Sequence, residues 1–158
     1  MAIKIGKIED RDREGAKHFC LGIFEEMGWP KEFAYGFDNI KEFFGGEKEV
    51  FFAAKSKKKI IACAGLKELS KTEGLIKRFY IAKEFRGKGL AQKMLKKIKD
   101  FAEKKNYKTI MVDIFQNNER AKRFFQKQGF EIFELAIREN WLESSHPDKF
   151  EFRKLNLC

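Results

Sequence analysis

The sequence contains few of the residues that form covalent cross-links or metal sites. Among its 158 residues are two histidines and three cysteines, Cys20, Cys63 and Cys158. The cysteines have no CxxC spacing and no nearby histidine partner, so the pattern indicates neither a disulfide framework nor a zinc site. We therefore predict no metal, with Cys20 and Cys63 as thiols of the core and Cys158 as a free residue of the tail.

Long apolar runs and export signals are also absent. No run approaches the roughly 20 apolar residues that a helix needs to span a bilayer. The opening residues, MAIKIGKIED, alternate instead of forming an apolar h-region. No repeat, linker or low-complexity segment interrupts the chain. We expect a cytoplasmic protein without membrane contact, and a single domain over residues 1–158.

What the sequence does contain is apolar residues and positive charge. Apolar residues make up 43% and aromatic residues 15% of the chain, enough for a core in one domain of this length. Thirty-four lysines and arginines against 24 acidic residues give a net charge of +10. This excess favours nucleic acid, an anionic membrane or a phosphorylated small molecule as partner, or else it forms a solvated surface.

The hydrophobic pattern alternates between strand and helix periods. A first strand near Ile3 precedes a helix whose apolar residues recur at helical spacing from Ala16 to Met27, before Gly28. Further helices are predicted within 31–46, over 90–102 and over 121–128. Further strands are predicted at 50–54, 59–69, 75–81, 109–114, 130–137 and 149–155.

The stretch 79–93 joins an apolar strand directly to a glycine-containing turn and a long amphipathic helix. It reads FYIAKEFRGKGLAQK. Gly87 and Gly89 have no Cβ, so the backbone can curl and approach a ligand, and the amides that follow lie unpaired at the positive end of the helix dipole. The arrangement favours an anion such as phosphate, although a Gly-x-Gly turn by itself is also typical of an ordinary loop.

A second stretch, NERAKRFFQKQGF at 118–130, combines with the first to resemble the GNAT superfamily of acyl-CoA-dependent N-acyltransferases. The family's cofactor signature is Arg or Gln, two residues, Gly, one residue, then Gly or Ala, and it is met by Arg86, Gly89 and Ala91. The second signature is met by Asn118, Ala121, Phe124, Gly129 and Phe130. The resemblance is clearest over residues 50–130.

This resemblance implies a fold of the α/β class, α+β type. A mixed, mostly antiparallel central sheet of six to seven strands would have helices on its flanks. The two central strands, 75–81 and 109–114, would splay apart to admit a cofactor. Residues 24–46 would form the lobe for the acceptor substrate.

The resemblance also implies acetyl-CoA as cosubstrate, bound in the splay. Amides after the glycine turn would hold its pyrophosphate, Arg86 or Lys88 would add charge-assisted contacts, and an amide near Ile81 would polarise the thioester carbonyl. The cofactor-binding residues implied are Phe79, Tyr80, Ile81, Arg86, Gly87, Lys88, Gly89, Leu90, Ala91, Gln92, Asn118, Ala121 and Phe124.

Acetyl transfer to an amine needs a base, because a protonated amine has no lone pair with which to attack a thioester. Some family members carry a glutamate where this chain has Leu75, and Glu73 lies two residues earlier on the same face. Asp113 is the better candidate, since ribosomal-protein N-terminal acetyltransferases of the superfamily place an acidic residue there. An aspartate at the end of a strand is also typical of an ion-paired or solvated residue.

The general acid is less clearly indicated. Phe125 stands where many family members carry a tyrosine that protonates the departing thiolate, and a phenyl ring has no proton to give. Tyr80, a water molecule or Tyr35 are the candidate substitutes. A thiol pKa of ~8.5 also makes the thiolate a tolerable leaving group without help. No Cys, Ser and His set is positioned for a covalent acyl-enzyme, so we predict direct attack in a ternary complex.

The acceptor is expected to be an amine-bearing small molecule or a peptide, with the protein as a monomer or homodimer. Its contacts are predicted in the aromatic segment 24–44 and the loop 140–148. The candidate substrate residues are Trp29, Phe33, Tyr35 and Trp141. Two other hypotheses remain open: a regulatory acyl-CoA-binding module without efficient chemistry, and, less expected, a basic protein associated with nucleic acid or the ribosome.

Overall fold

The computed structural model describes residues 2–157, which form a seven-stranded sheet with helices on both faces. The strands are β1 (Ile3–Lys7), β2 (Val50–Ser56), β3 (Lys59–Glu68), β4 (Glu73–Ile81), β5 (Thr109–Phe115), β6 (Glu131–Ile132) and β7 (Phe150–Asn156). The helices are α1 (Arg13–Met27), α2 (Ile40–Phe43), α3 (Leu90–Lys104) and α4 (Glu119–Lys127). The strand order is β1-β2-β3-β4-β5-β7-β6. The predicted fold class is confirmed.

The centre of the sheet opens between β4 and β5. These two neighbouring strands are parallel, whereas the other strand pairs are antiparallel. Their pairing runs from Glu73 opposite Thr109 to Ile76 opposite Val112 and ends there, although both strands continue. The carboxyl-terminal halves of the two strands therefore separate, which confirms the predicted splay.

A β-bulge interrupts β4 just after this pairing ends. Arg78 has a φ of 59°, in the left-handed region that non-glycine residues seldom adopt, and the register between β3 and β4 shifts at this point. Successive side chains therefore do not alternate across the sheet here. The Lys77 ammonium and the Arg78 guanidinium both approach the ring of Tyr35, so both lie on the same face.

Each face of the sheet has its own apolar core. In β2, the side chains of Val50 and Phe52 pack on the α3 side, while those of Phe51 and Ala53 pack on the α1 side, as the twofold period of a strand requires. Because helices or loops cover both faces, the central strands are almost continuously apolar. Charged side chains in these strands therefore stand out as candidates for function.

Local sequence explains the ends of the helices. The apolar stripe of α1 from Ala16 to Phe24 is buried, and the helix ends at Gly28, whose φ of 68° suits glycine. Asn118 caps the start of α4, and its side chain accepts a hydrogen bond from the Ala121 amide at 3.2 Å. Among residues 2–157, no helix is both long enough and apolar enough to cross a bilayer.

Two predicted elements are corrected. The helix expected within 31–46 is a 3₁₀ turn, Lys31–Phe33, followed by the single turn of α2. The strand expected at 130–137 is regular only over β6. One further backbone hydrogen bond joins the Phe133 amide to the Phe152 carbonyl oxygen at 3.1 Å, and the Phe133 and Leu135 side chains pack against the aromatic core.

The prediction for two of the cysteines is confirmed. Cys20 and Cys63 are free, fully buried thiols, and their sulfur atoms lie 3.9 Å apart. Cys63 Sγ also donates a hydrogen bond to the Arg78 carbonyl oxygen at 3.1 Å, directly behind the bulge. Cys158 lies outside the described residues.

Gly65 in β3 occupies a position where the packing leaves no room for a side chain. A Cβ at this residue would lie 2.4 Å from Cε1 of Phe44, a buried ring. We expect Gly65→Ala to lower the free energy of unfolding by about 2 kcal/mol through overpacking, measured by urea unfolding. Gly22→Ala in α1 is the control, because no atom lies within 4 Å of its Cβ position and alanine favours a helix. Equal stability of the two variants would contradict the tight contact with Phe44.

Candidate active site

A cleft of about 760 Å³ lies between the end of β4, the glycine turn before α3, and α4. This volume is within the usual range of sites for small ligands and cofactors. Most of the residues predicted to bind the cofactor line it: Phe79, Tyr80, Ile81, Arg86, Gly87, Gly89, Ala91, Gln92, Asn118, Ala121 and Phe124. Their direct contact with a cofactor stays a prediction.

The glycine turn gives the cleft a site for an anion. Gly87 and Gly89 have φ values of 75° and 85°, which only glycine adopts readily. The first hydrogen bond within α3 runs from the Lys93 amide to the Gly89 carbonyl oxygen, so the amides of Leu90, Ala91 and Gln92 have no acceptor in the helix. These amides and the helix dipole favour a negatively charged group at this end of α3.

The side chains of three residues predicted for the cofactor have distinct surroundings. The Arg86 guanidinium donates to the Ile81 carbonyl oxygen at 2.9 Å and to both carboxylate oxygens of Glu26 at 2.6 and 3.0 Å. It therefore anchors the turn to β4 and α1, and it holds the pKa of Glu26 below its ordinary value. Its contact with a phosphate stays a prediction. The Leu90 side chain is buried in the core, and Lys88 is exposed outside the cleft.

Further positive charge on the wall of the cleft comes from α4 and was not predicted from the sequence. Arg120, Arg123 and Lys127 line the cleft and are exposed. Their spacing of i, i+3 and i+7 places them on one face of the helix, a signal that could have been found in the sequence. This row of cations suits a ligand that carries several phosphates.

Two aromatic residues near the splay have different environments. Phe125 is 2% exposed and packs against Phe79, Phe124 and Phe130, with ring centroids 5.1–5.2 Å apart. Tyr80 lines the cleft. Burial raises the pKa of Tyr80 above its ordinary value, so its hydroxyl stays protonated at neutral pH and can donate a proton.

A smaller cavity of about 40 Å³ adjoins the cleft and contains the predicted base. Lys77 Nζ lies 2.8 Å from Asp113 Oδ2 and 2.8 Å from Glu143 Oε2. The Trp141 indole donates to the same Asp113 oxygen at 2.7 Å, and the Tyr35 hydroxyl donates to Glu143 at 2.7 Å. We call Lys77, Asp113 and Glu143 the buried triad. Lys77 and Glu143 were not identified from the sequence, although a lysine within an apolar strand calls for an acidic partner.

Burial controls the ionisation of the triad. The side chains of Lys77, Asp113 and Glu143 are 4%, 11% and 2% exposed. Burial raises the pKa of Asp113 above its ordinary value and the charge of Glu143 adds to this, whereas Lys77 opposes it. Burial by itself would raise the pKa of Glu143 as well, but Lys77 and the Tyr35 hydroxyl hold this pKa below its ordinary value. The surroundings therefore favour the protonated form of Asp113 and the ionised form of Glu143.

The predicted substrate residues divide into two groups. Trp29 lines both the cleft and the smaller cavity. As a correction, Phe33 and Trp141 are each 1% exposed, so they support the site from the core and do not meet a substrate. The Tyr35 hydroxyl is engaged by Glu143, which removes it as a free proton donor.

Arg78 connects the aromatic segment to the bulge of β4. Its guanidinium donates to the carbonyl oxygens of Phe33 and Tyr35 at 2.8 and 2.6 Å, and it lies over the ring of Phe37. Its Nε atom is buried without a hydrogen-bond partner among the described residues, and Arg78 lines the smaller cavity. The position of the predicted acceptor lobe is therefore coupled to the shape of the strand that lines the cleft.

Glu73, the alternative base, lies at the paired end of β4 and lines neither cavity. Its carboxylate accepts two hydrogen bonds from Arg138, at 2.8 and 3.0 Å. Arg138 holds the pKa of Glu73 below its ordinary value. The pair therefore contributes stability above the pKa of the unfolded chain, and this contribution is lost as pH falls through the folded pKa.

We expect Glu73→Gln to lower the free energy of unfolding at pH 7 by about 0.5–1 kcal/mol, because the pair is only partly buried. Unfolding measured as pH falls from 7 into the acidic range checks this, since the difference should vanish once pH lies below the folded pKa of Glu73. Glu47→Gln, at an exposed residue, is the control and should be neutral. A large loss of catalytic rate in the Glu73 variant would show that this residue is part of the active site after all.

Comparisons with known proteins agree with this geometry. A model of the acetyltransferase (GNAT) family matches residues 20–130. A segment of 56 residues is 45% identical to the spermine/spermidine N(1)-acetyltransferase of Bacillus subtilis (strain 168) and covers 35% of this chain and 37% of that protein. The chain therefore spans little more than a third of that relative's length.

Two solved structures share the fold over almost the whole chain. An acetyltransferase of the GNAT family from Staphylococcus aureus Mu50 has a TM-score of 0.83 at 22% identity and covers 99% of this chain and 100% of its own. The PaiA N-acetyltransferase from Thermoplasma acidophilum, in complex with coenzyme A, has a TM-score of 0.74 at 15% identity. The match covers 99% of this chain and 100% of that one. The family match includes the glycine turn, the splayed strands and α4, and the protein belongs to the acetyltransferase (GNAT) family.

Proposed function

We propose that the protein transfers an acetyl group from acetyl-CoA to a primary amine by direct attack in a ternary complex. The observation that supports this most is the cleft at the splay, which combines a glycine turn, unpaired helix amides and a row of cations on α4. The cytoplasmic location and the monomeric or dimeric state predicted from the sequence belong to the same proposal.

The residues present fit an acyl-CoA. The amides of Leu90 to Gln92 would hold the pyrophosphate, and Arg120 and Arg123 would neutralise further phosphate charge. A neighbour of the same fold was solved with coenzyme A, which agrees with this assignment. When bound, acetyl-CoA supplies an activated thioester. The Ile81 amide is proposed to polarise its carbonyl group.

Asp113 is proposed as the base that removes a proton from the attacking amine. Its surroundings favour its protonated form, and both of the hydrogen bonds that it accepts within the described chain end on Oδ2. Oδ1 is therefore the oxygen left to take up a proton. The adjoining cavity of about 40 Å³ has room for at least one water molecule that could relay it. Tyr80 is the proposed proton donor at the end of the reaction.

Within the amine class, we propose polyamines as the first acceptors to test. A relative is named for spermine and spermidine, although the match to it covers only a segment. Small amines reach a base beside a narrow cavity more easily than a folded protein does. Peptides with free amino groups are the second class to test.

Release of free thiol from acetyl-CoA, followed with spermine, spermidine, simple alkylamines and short peptides, tests the proposal. We expect release that saturates with both acetyl-CoA and one class of amine. Saturable acetyl-CoA binding without release across the whole panel would favour a regulatory CoA-binding module instead, and the phenylalanine at position 125 is compatible with that outcome.

A further inference from the structure

The buried triad contains an unequal number of charges. Lys77 lies on β4, Asp113 on β5 and Glu143 in the 3₁₀ turn before β7, and the smaller cavity touches all three. Charges removed from water are costly unless they are paired. Here one ammonium serves two carboxylates, at 2.8 Å from each. With all three groups ionised, the triad carries one excess negative charge.

Arg78 is a second cation at this cavity, but among the described residues it forms no ion pair with either carboxylate of the triad. Arg78 and Tyr80 of β4 face the cavity, and Tyr35 approaches from the aromatic segment, while the walls from α4 and β7 are uncharged. Tyr35 is a neutral donor to Glu143, and the Arg78 guanidinium donates to backbone carbonyl oxygens. Lys77 is therefore the cation in direct contact with both carboxylates.

We propose that Lys77 is a positioning residue of the active site: its ammonium keeps Glu143 as a permanent counter-ion and leaves Asp113 as the carboxylate that accepts the proton of the acceptor amine. This inference rests on the proposed function. As the new C–N bond forms, the amine proton passes to Asp113 Oδ1, and the electron pair of the C–S bond leaves with sulfur. Protonation of Asp113 brings the triad to zero net charge, a favourable change for a buried group.

Removal of Lys77 and removal of the charge of Glu143 should shift the pKa of Asp113 in opposite directions. Without Lys77, two neighbouring carboxylates would share a proton already at neutral pH, as like charges in one site do. Without the charge of Glu143, Asp113 would pair with Lys77 alone and become a weaker base. If the triad had only a structural role, both substitutions would change the stability of the protein, but they would not shift the pKa of Asp113 in opposite directions.

The experiment compares Lys77→Met and Glu143→Gln with the wild-type protein in two ways. The first is titration of the Asp113 carboxyl carbon by ¹³C NMR, with the signal assigned through its loss in Asp113→Asn. The second is the pH profile of kcat/KM with one amine, whose own ionisation is common to all variants. We expect the midpoint of the acidic limb to rise by about one pH unit in Lys77→Met and to fall by a similar amount in Glu143→Gln.

Lys67→Met is the matched control, because Lys67 is a partly buried lysine of β3 that pairs with Glu49 away from the cavity. It should lower stability without shifting either midpoint. The inference would be overturned if the titration midpoint of Asp113 were unchanged in the folded variants, or if it shifted with the same sign in both. If Lys77→Met does not fold, the result for Glu143→Gln decides alone. Failure of the wild-type protein to release thiol with any amine would overturn the proposed function instead, while the NMR titration still decides the role of Lys77.

Discussion

Replacement of Gly89 by valine is expected to weaken acetyl-CoA binding by at least thirtyfold, about 2 kcal/mol. The φ of 85° at Gly89 lies in the left-handed region, where an L-residue costs roughly 1–2 kcal/mol and a β-branched residue more. The valine would therefore reshape the turn and move the unpaired amides of Leu90 and its neighbours away from the pyrophosphate. Isothermal titration calorimetry with acetyl-CoA measures the change.

Gly129→Val is the control for backbone strain alone. Gly129 follows α4 with a φ of 91°, but it does not line the cleft. This variant should lose stability comparably and retain its affinity for acetyl-CoA. Unaltered affinity in a folded Gly89→Val protein would show that the anion site is not at the start of α3.

Replacement of Asp113 by asparagine is expected to reduce kcat/KM for the acceptor about 100-fold or more, with little change in acetyl-CoA affinity. A positioned general base contributes roughly 10²–10⁴ to a rate, and an amide cannot take up the proton. The amide oxygen can still accept the hydrogen bonds from Lys77 and Trp141, so the variant should keep its fold.

The pH dependence gives a second test of the same residue. Burial and the neighbouring Glu143 place the pKa of Asp113 above its ordinary value, and the ionised form is the base. The wild-type rate should therefore fall as pH drops through this pKa, and the acidic limb should disappear in the asparagine variant. Asp100→Asn is the control, since that residue is exposed on α3. An unchanged rate and profile in the Asp113 variant would assign the base to another residue.

The backbone geometry of the cleft was largely predictable because its signals are local. The positive φ at Gly87 and Gly89, the unpaired amides that follow and the cap at Asn118 each depend on neighbouring residues. Family resemblance added the position of the splay. What the sequence did not show is the partner of Arg86 far along the chain: Glu26 in α1 holds its guanidinium.

The acceptor side was not predictable in the same way. Asp113 was a reasonable candidate from its place near the end of a strand, yet its ionisation depends on Lys77 and Glu143, which lie on other elements. Phe33 and Trp141 had the chemistry of substrate residues, but the sequence did not show that they would be fully packed. Aromatic content indicates a core or a pocket equally well.

The sequence by itself determined the family, the order of strands and helices, and the turn that favours an anion, because each depends on spacing within a short stretch of chain. The tertiary structure decided which charges meet and which aromatic rings are buried. The physical reason is that pKa values and accessibility arise from neighbours in space, and at this site those neighbours come from β4, β5 and the turn before β7.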